Sequence, residues 1–398
     1  MAPMRRLLLL VAALVFVDTM LFAALTPLLP HFAHTFGLSK VGAGALVAAY
    51  AAGALAGGLP GGAAAARLGP RRAVLAGLAG MGAASLGFAF AGSFWTLFAA
   101  RFVQGAGSAF TWAGAFAWLI AAAPRERRGQ LLGTAMGAAV FGALFGPVIG
   151  AAAALAGRAA NFSALAGHAV VLAMFTLRLE PTASEHPSAA AIGRAFRNYR
   201  FGAGLALMSL PSLLFGILSV LGPLRLAAAG WGAAAIGGTW LAGAALETVG
   251  SPLAGRLVDA RGRLLPVRMS LVLGTLVSLG LAAGPRPLLY APLVVLAAAA
   301  FGILFTPAFA LIADGAEAAR LPQGMAFGFM SAAWALGAFV GPAAAGAIAG
   351  ATGDWFPFLL AAALCAVTLA VTRPASQDEG AAVLVDRLPR DPAGVGRE

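Results

Sequence analysis

What most constrains this chain is a succession of twelve apolar runs, near 6–30, 41–62, 72–91, 94–121, 130–155, 160–177, 201–222, 231–255, 266–284, 288–313, 324–348 and 354–372. A helix of roughly 20 residues crosses the roughly 30 Å hydrocarbon layer of a bilayer. Within that layer every backbone N–H and C=O must be satisfied by the protein itself, so runs of this length fold as membrane-spanning helices. The composition agrees, since 61% apolar and 10% charged residues leave too little polar surface for a water-soluble domain. The predicted fold class is an all-α integral membrane protein of twelve transmembrane helices.

The sequence also repeats itself. Gly62-Ala63-Ala64-Ala65-Ala66-Arg67-Leu68-Gly69-Pro70-Arg71-Arg72 has a counterpart, Gly255-Arg256-Leu257-Val258-Asp259-Ala260-Arg261-Gly262-Arg263, displaced by 193 positions (62 to 255). Each is read as a loop joining two apolar runs through a glycine-flanked arginine cluster. Gly142-x-x-x-Gly146-Pro147 recurs as Gly337-x-x-x-Gly341-Pro342, displaced by 195 (142 to 337). Repetition on this scale predicts two pseudo-symmetric six-helix bundles and points to a secondary transporter. The predicted organisation is an N-terminal bundle over 1–177, a polar linker over 178–200, a C-terminal bundle over 201–372 and a disordered tail over 373–398.

A net charge of +12 invites comparison with nucleic-acid-binding proteins, but the arginines are scattered through short inter-helix segments. That distribution is a topology signal, and no nucleic-acid partner is expected. Arginines such as Arg5, Arg71, Arg127, Arg197, Arg261 and Arg320 fall on one side, whereas the other side holds only Lys40, Arg158, Arg225 and Arg286. The positive-inside rule then makes both termini cytoplasmic. Lys40 is the one lysine, and arginine, alanine and glycine usage fits a GC-rich bacterial genome, hence the bacterial inner membrane. The lone Cys365 excludes a disulfide framework, a cysteine zinc cluster and a CxxC redox site. No metal or cofactor is expected, and no nucleophile elbow, phosphate loop or His–acid cluster supports an enzyme. The expected partners are the lipid bilayer, a small-molecule substrate and protons, with the chain acting as a monomer.

Three motifs in order resemble those of the major facilitator superfamily, and within it the twelve-span drug:proton antiporters. Gly62, Arg67, Gly69, Arg71 and Arg72 are similar to the family's G-x-x-x-D-R-x-G-R-R pattern, with Pro70 interposed and Ala66 where the aspartate belongs. Arg101-Phe-Val-Gln104-Gly105-Ala-Gly107 resembles R-x-x-Q-G-x-G, and Gly142-x-x-x-Gly146-Pro147-x-x-Gly150-Ala151 resembles the antiporter pattern G-x-x-x-G-P-x-x-G-G. The resemblance covers residues 6–372. It implies a gate built from the first loop and its second copy, Gly255, Asp259, Gly262 and Arg263. Asp314 is expected to pair with the arginines of that second copy. It also implies that Arg101 takes part in proton transfer.

Charges inside spans are the sharpest chemical signal, because each is costly unless paired or hydrated. Asp18 lies 12 residues past Arg6, roughly 18 Å of helix rise, which puts it near the bilayer centre. It is the leading proton-coupling candidate, with Arg101 and Glu247 as its partners. Gly142, Gly146 and Gly150 share one helix face with Pro147 beside them, and this face is expected to seal the two halves, with Gly337, Gly341 and Pro342 as the second copy. Aromatic residues Trp112, Phe215, Trp240 and Trp334, together with Asp18, Gln104 and Glu247, are expected to line a central cavity for lipophilic or cationic compounds. The reading is thus a proton-coupled exporter of drug-like molecules. The alternatives are a carrier of a sugar or other polar metabolite and, more remotely, a non-transporting membrane protein.

Overall fold

The structure is a computed structural model that describes residues 2–124, 127–180, 188–261, 264–284, 286–321 and 323–372. Its helices in chain order are α1 (Ala2–Ala23), α2 (Leu25–Thr35), α3 (Lys40–Arg67), α4 (Pro70–Phe90), α5 (Phe94–Ala122), α6 (Arg128–Ala156), α7 (Arg158–Leu177) and α8 (Ala189–Arg197). They continue as α9 (Tyr199–Ala228), α10 (Ala233–Arg261), α11 (Leu264–Ala282), α12 (Pro287–Ile303), α13 (Phe305–Ala318), α14 (Gln323–Thr352) and α15 (Trp355–Val371). No strand occurs among the described residues. Helices α1 and α2 together make the first crossing, α12 and α13 the tenth, and α8 lies in the linker. Ten crossings are long and apolar enough to traverse a membrane. Helix α10, with 29 residues, and α15, with 17, complete the twelve. The predicted tail over 373–398 lies outside the described residues.

Helix starts follow local chemistry. Ser39, Ser93 and Ser188 each accept a backbone N–H three residues on, from Gly42, Thr96 and Ala191, satisfying donors that a helix leaves open at its first turn. Pro70 and Pro287 sit at first helical positions, where the missing N–H costs nothing. The breaks within the first and tenth crossings also have a local cause. Pro27 and Pro307 each stand three residues past the break residue, Ala24 or Leu304, and cannot donate to the carbonyl four residues back.

The first arginine-rich segment is shorter as a loop than the sequence predicts. Helix α3 runs on to Arg67 and α4 begins at Pro70, so only Leu68 and Gly69 connect them. Ala63 to Ala66 are the strongest helix formers and carry α3 through what reads as a loop. Gly62 is therefore inside a helix, exposed, and a Cβ there would meet nothing within 4 Å. Gly69 makes the turn at φ +92°, ψ 152°, a region only glycine adopts without strain. Arg71 donates to the carbonyl of Leu177 at 2.8 Å and ties the turn to the end of α7, while Arg67 and Arg72 are exposed. Replacing Gly69 by alanine is expected to cost about 1–3 kcal/mol, whereas Gly62→Ala should gain up to about 1 kcal/mol through helix propensity. Melting midpoints of the detergent-purified variants check both. In the second copy, Gly255 and Asp259 fall in the last turns of α10, and Gly262 and Arg263 lie outside the described residues. Asp314 is half-buried on α13.

The glycine faces pack differently from the expectation. A Cβ on Gly142, Gly146 or Gly150 would strike the first crossing, at the carbonyls of Phe16, Met20 and Ala24 respectively. On Gly337 and Gly341 it would strike the carbonyls of Ser209 and Leu213 on α9. Both faces thus grip the first helix of their own half. Joining the halves falls to the adjacent prolines. The Pro147 carbonyl would lie 3.0 Å from a Cβ on Gly237 of α10, and the Pro342 carbonyl closes on Gly44 of α3. Gly44 and Gly237 are themselves 193 positions apart (44 to 237), the displacement of the arginine segments. Lys40 of α3 pairs with Asp354, just before α15, beside the contact of Gly44 with Pro342. The halves are therefore clasped near the face that carries few arginines.

Candidate functional site

The site forms where the first crossing meets α3 and α5. On α5, Arg101, Gln104, Ser108 and Trp112 recur at spacings of three and four, so one face of an otherwise apolar helix is polar. Helices α3 and α5 come together because their contact is glycine on both sides. A Cβ on Gly105 would strike the Tyr50 carbonyl, and one on Gly53 the Phe102 carbonyl. That close approach brings Tyr50 to the polar face of α5.

Asp18 is 1% exposed and lies within hydrogen-bond reach of Ser108, Trp112 and Tyr50. Ser108 Oγ and Trp112 Nε1 each donate to its Oδ2 at 2.7 Å. Tyr50 Oη lies 3.2 Å from the same oxygen and 2.7 Å from Ser108 Oγ. Tyr50 has one hydroxyl proton, and the shorter contact makes the sequence Tyr50 to Ser108 to Asp18. Hydroxyls can reverse as donor and acceptor whereas the indole N–H cannot. The site can therefore hold Asp18 with or without a proton.

Arg101, 1% exposed, makes no ion pair with Asp18. The guanidinium instead lies over the rings of Tyr50 and Phe22, 4.8 and 5.2 Å from their centroids. Its Nη1 donates to Gln104 Oε1 at 2.8 Å and to Leu21 O at 3.4 Å, and Nη2 donates to Phe22 O at 2.8 Å. Arg101 thus caps carbonyls at the break of the first crossing, with the Tyr50 ring between it and Asp18. Lysine cannot reproduce this planar fork or its ring stacking. Arg101→Lys is expected to cost about 2 kcal/mol or more, read as a lower melting midpoint.

The other expected cavity residues divide. Trp334 of α14 packs against Phe22 and Tyr50, with centroids 5.3 and 6.2 Å away, bringing the second half to the Asp18 cluster. Gln104 is taken up by Arg101. Phe215 stacks on Phe305 and touches Phe301 at the break of the tenth crossing. Trp240 is a core residue filling the space left by Gly222 of α9. Glu247 lies on α10 against Gly302 of α12 and shares no partner with Asp18. Toward the arginine-rich face, Phe116 and Phe327 stack across the halves at 5.0 Å. Tyr50 and Ser108 are the residues that reading the sequence missed as site residues. The polar spacing on α5 marks Ser108, whereas nothing local marks Tyr50.

Twelve crossings in two repeated halves, with a buried acid inside the first, define a multi-pass membrane transporter. The chain matches the Major Facilitator Superfamily over residues 11–322 and belongs to that family. Among solved structures it is similar to the xylose transporter XylE from E. coli, with 15% identity, a TM-score of 0.71, and 94% of this chain and 98% of that chain covered. It is similar to the nucleoside transporter NupG at 15% identity and a TM-score of 0.71, covering 92% and 98%, and to a D-xylose-proton symporter at 16% and 0.68, covering 93% and 98%. At these identities the likeness is one of fold. No curated protein matches the sequence closely enough to count as a relative.

Proposed function

We propose that this transporter exchanges protons for a lipophilic or cationic small molecule and exports it by alternating access. The observation that carries this reading is Asp18, an acid inside the bundle whose donors can serve it charged or neutral. Tyr50 and Trp112 reach it directly, and Phe22 and Trp334 pack on Tyr50, so aromatic rings from both halves gather beside it, a setting that favours cations. Substrate and proton compete for Asp18. Inward proton flow then drives substrate outward, provided the two are bound alternately. In this reading the arginine-rich face is cytoplasmic in a bacterial inner membrane, and the monomer is the working unit. Three of the four cations of the other face have structural partners: Lys40 with Asp354, Arg158 with the Ala91 carbonyl and Arg225 with the Gly284 carbonyl.

A second reading, a carrier for a polar metabolite, is favoured by the hydroxyl and indole groups around Asp18, which also suit a polyhydroxylated ligand. The experiment is to energise everted vesicles, record the pH gradient, and add lipophilic cations, neutral drugs and sugars in turn. Collapse on adding cations, absent without the protein, supports the first reading. Collapse on adding sugars alone selects the second, and no response to any of them rejects proton exchange of these compounds.

A further inference from the structure

The two broken crossings are alike in backbone and opposite in charge. Ala24 (φ −62°, ψ −22°) and Leu304 (φ −63°, ψ −23°) have the same conformation, each followed three residues later by proline. In the first crossing, Arg101 brings a cation to the Leu21 and Phe22 carbonyls beside the break. In the tenth, Pro307 has no N–H to give the Ile303 carbonyl four residues back, so that oxygen lacks its usual donor. The neighbour there is an acid. A Cβ built on Gly302 would fall within the Glu247 carboxyl group, so the missing side chain is what lets the carboxyl reach the end of α12. Glu247 makes no ion pair among the described residues. The C-terminal end of a helix carries partial negative charge, so the carboxylate and the helix end reinforce one another. Inside a membrane such a pairing is costly unless a proton or a bound cation neutralises it.

We propose that Glu247 and the carbonyl-bearing end of α12 bind a monovalent metal cation. Hard cations take oxygen ligands, and a carboxylate at a half-helix end where proline frees a carbonyl supplies them. The site is separate from Asp18 and stands whether or not Asp18 exchanges protons.

The test uses the purified full chain at fixed pH and ionic strength, with sodium replacing choline. Saturable binding of radioactive sodium and a matching rise in melting midpoint are expected. Glu247→Gln should abolish both. Glu247→Asp, which keeps the charge on a shorter arm, and Gly302→Ala, which fills the cradle, should each weaken binding about 10-fold or more. Asp18→Asn should bind sodium as the unaltered protein does, which separates this site from the proton-exchange reading. The proposal is overturned if sodium acts no differently from choline, if Glu247→Gln binds sodium normally, or if only organic ammonium compounds stabilise the protein.

Discussion

Asp18→Asn is expected to abolish proton-driven transport, lowering it about 100-fold or more, while the protein still reaches the membrane folded. Asparagine preserves the shape of the carboxyl and can still accept from Trp112 and Ser108, so the cluster that holds it is conserved. What it cannot do is bind and release a proton. Counterflow of substrate between two pools, which needs binding and alternation but no proton gradient, should therefore survive better than gradient-driven transport. That contrast distinguishes lost coupling from lost folding. Ser108→Ala and Trp112→Phe each remove one hydrogen bond to a charged acceptor, worth about 1.5–3 kcal/mol, and should impair transport about 10-fold or more. Full gradient-driven transport by Asp18→Asn would remove Asp18 from the mechanism.

Much of the architecture is legible in the sequence because the bilayer imposes a length on every apolar run. The depth of Asp18 follows from the helix rise after Arg6. The breaks are harder, since each crossing reads as one continuous apolar run. Leu25-Thr26-Pro27 and Phe305-Thr306-Pro307 do share a Thr-Pro step that marks them. Loop lengths are misjudged where Ala63 to Ala66 extend a helix past the apolar run. The arrangement of the site is less accessible still. Arg101 and Asp18 invite pairing as opposite charges, yet α3 inserts the Tyr50 ring between them. That insertion depends on Gly53 and Gly105 meeting across two helices 52 positions apart (53 to 105). Trp240 and Trp334 are indistinguishable as apolar aromatic residues, and only packing sends one to the core and the other to the Asp18 cluster.

The second large effect concerns how the halves meet. Gly44→Val should reduce transport about 10-fold or more, because the added atoms are driven into the Pro342 carbonyl and overpacking of this kind costs about 1–3 kcal/mol. Gly237→Val, at the equivalent crossing, should have the same effect more mildly, since its Cβ would stand 3.0 Å from the Pro147 carbonyl. Gly238, the next residue on α10, supplies the control. A Cβ there meets nothing within 4 Å, and Gly238→Val should transport nearly normally. The ordering of three valines, two of them at adjacent positions on one helix, separates a clasp between halves from a general intolerance of β-branching. The ion pair beside the clasp should matter far less. Lys40 and Asp354 remain partly exposed at 39% and 21%, and an exposed pair contributes about 0–1 kcal/mol. Lys40→Ala should therefore change the melting midpoint little, because the backbone-to-glycine contacts and the Phe116–Phe327 stack still join the two halves. Equal transport by Gly44→Val and Gly238→Val would mean that the halves do not work through this contact.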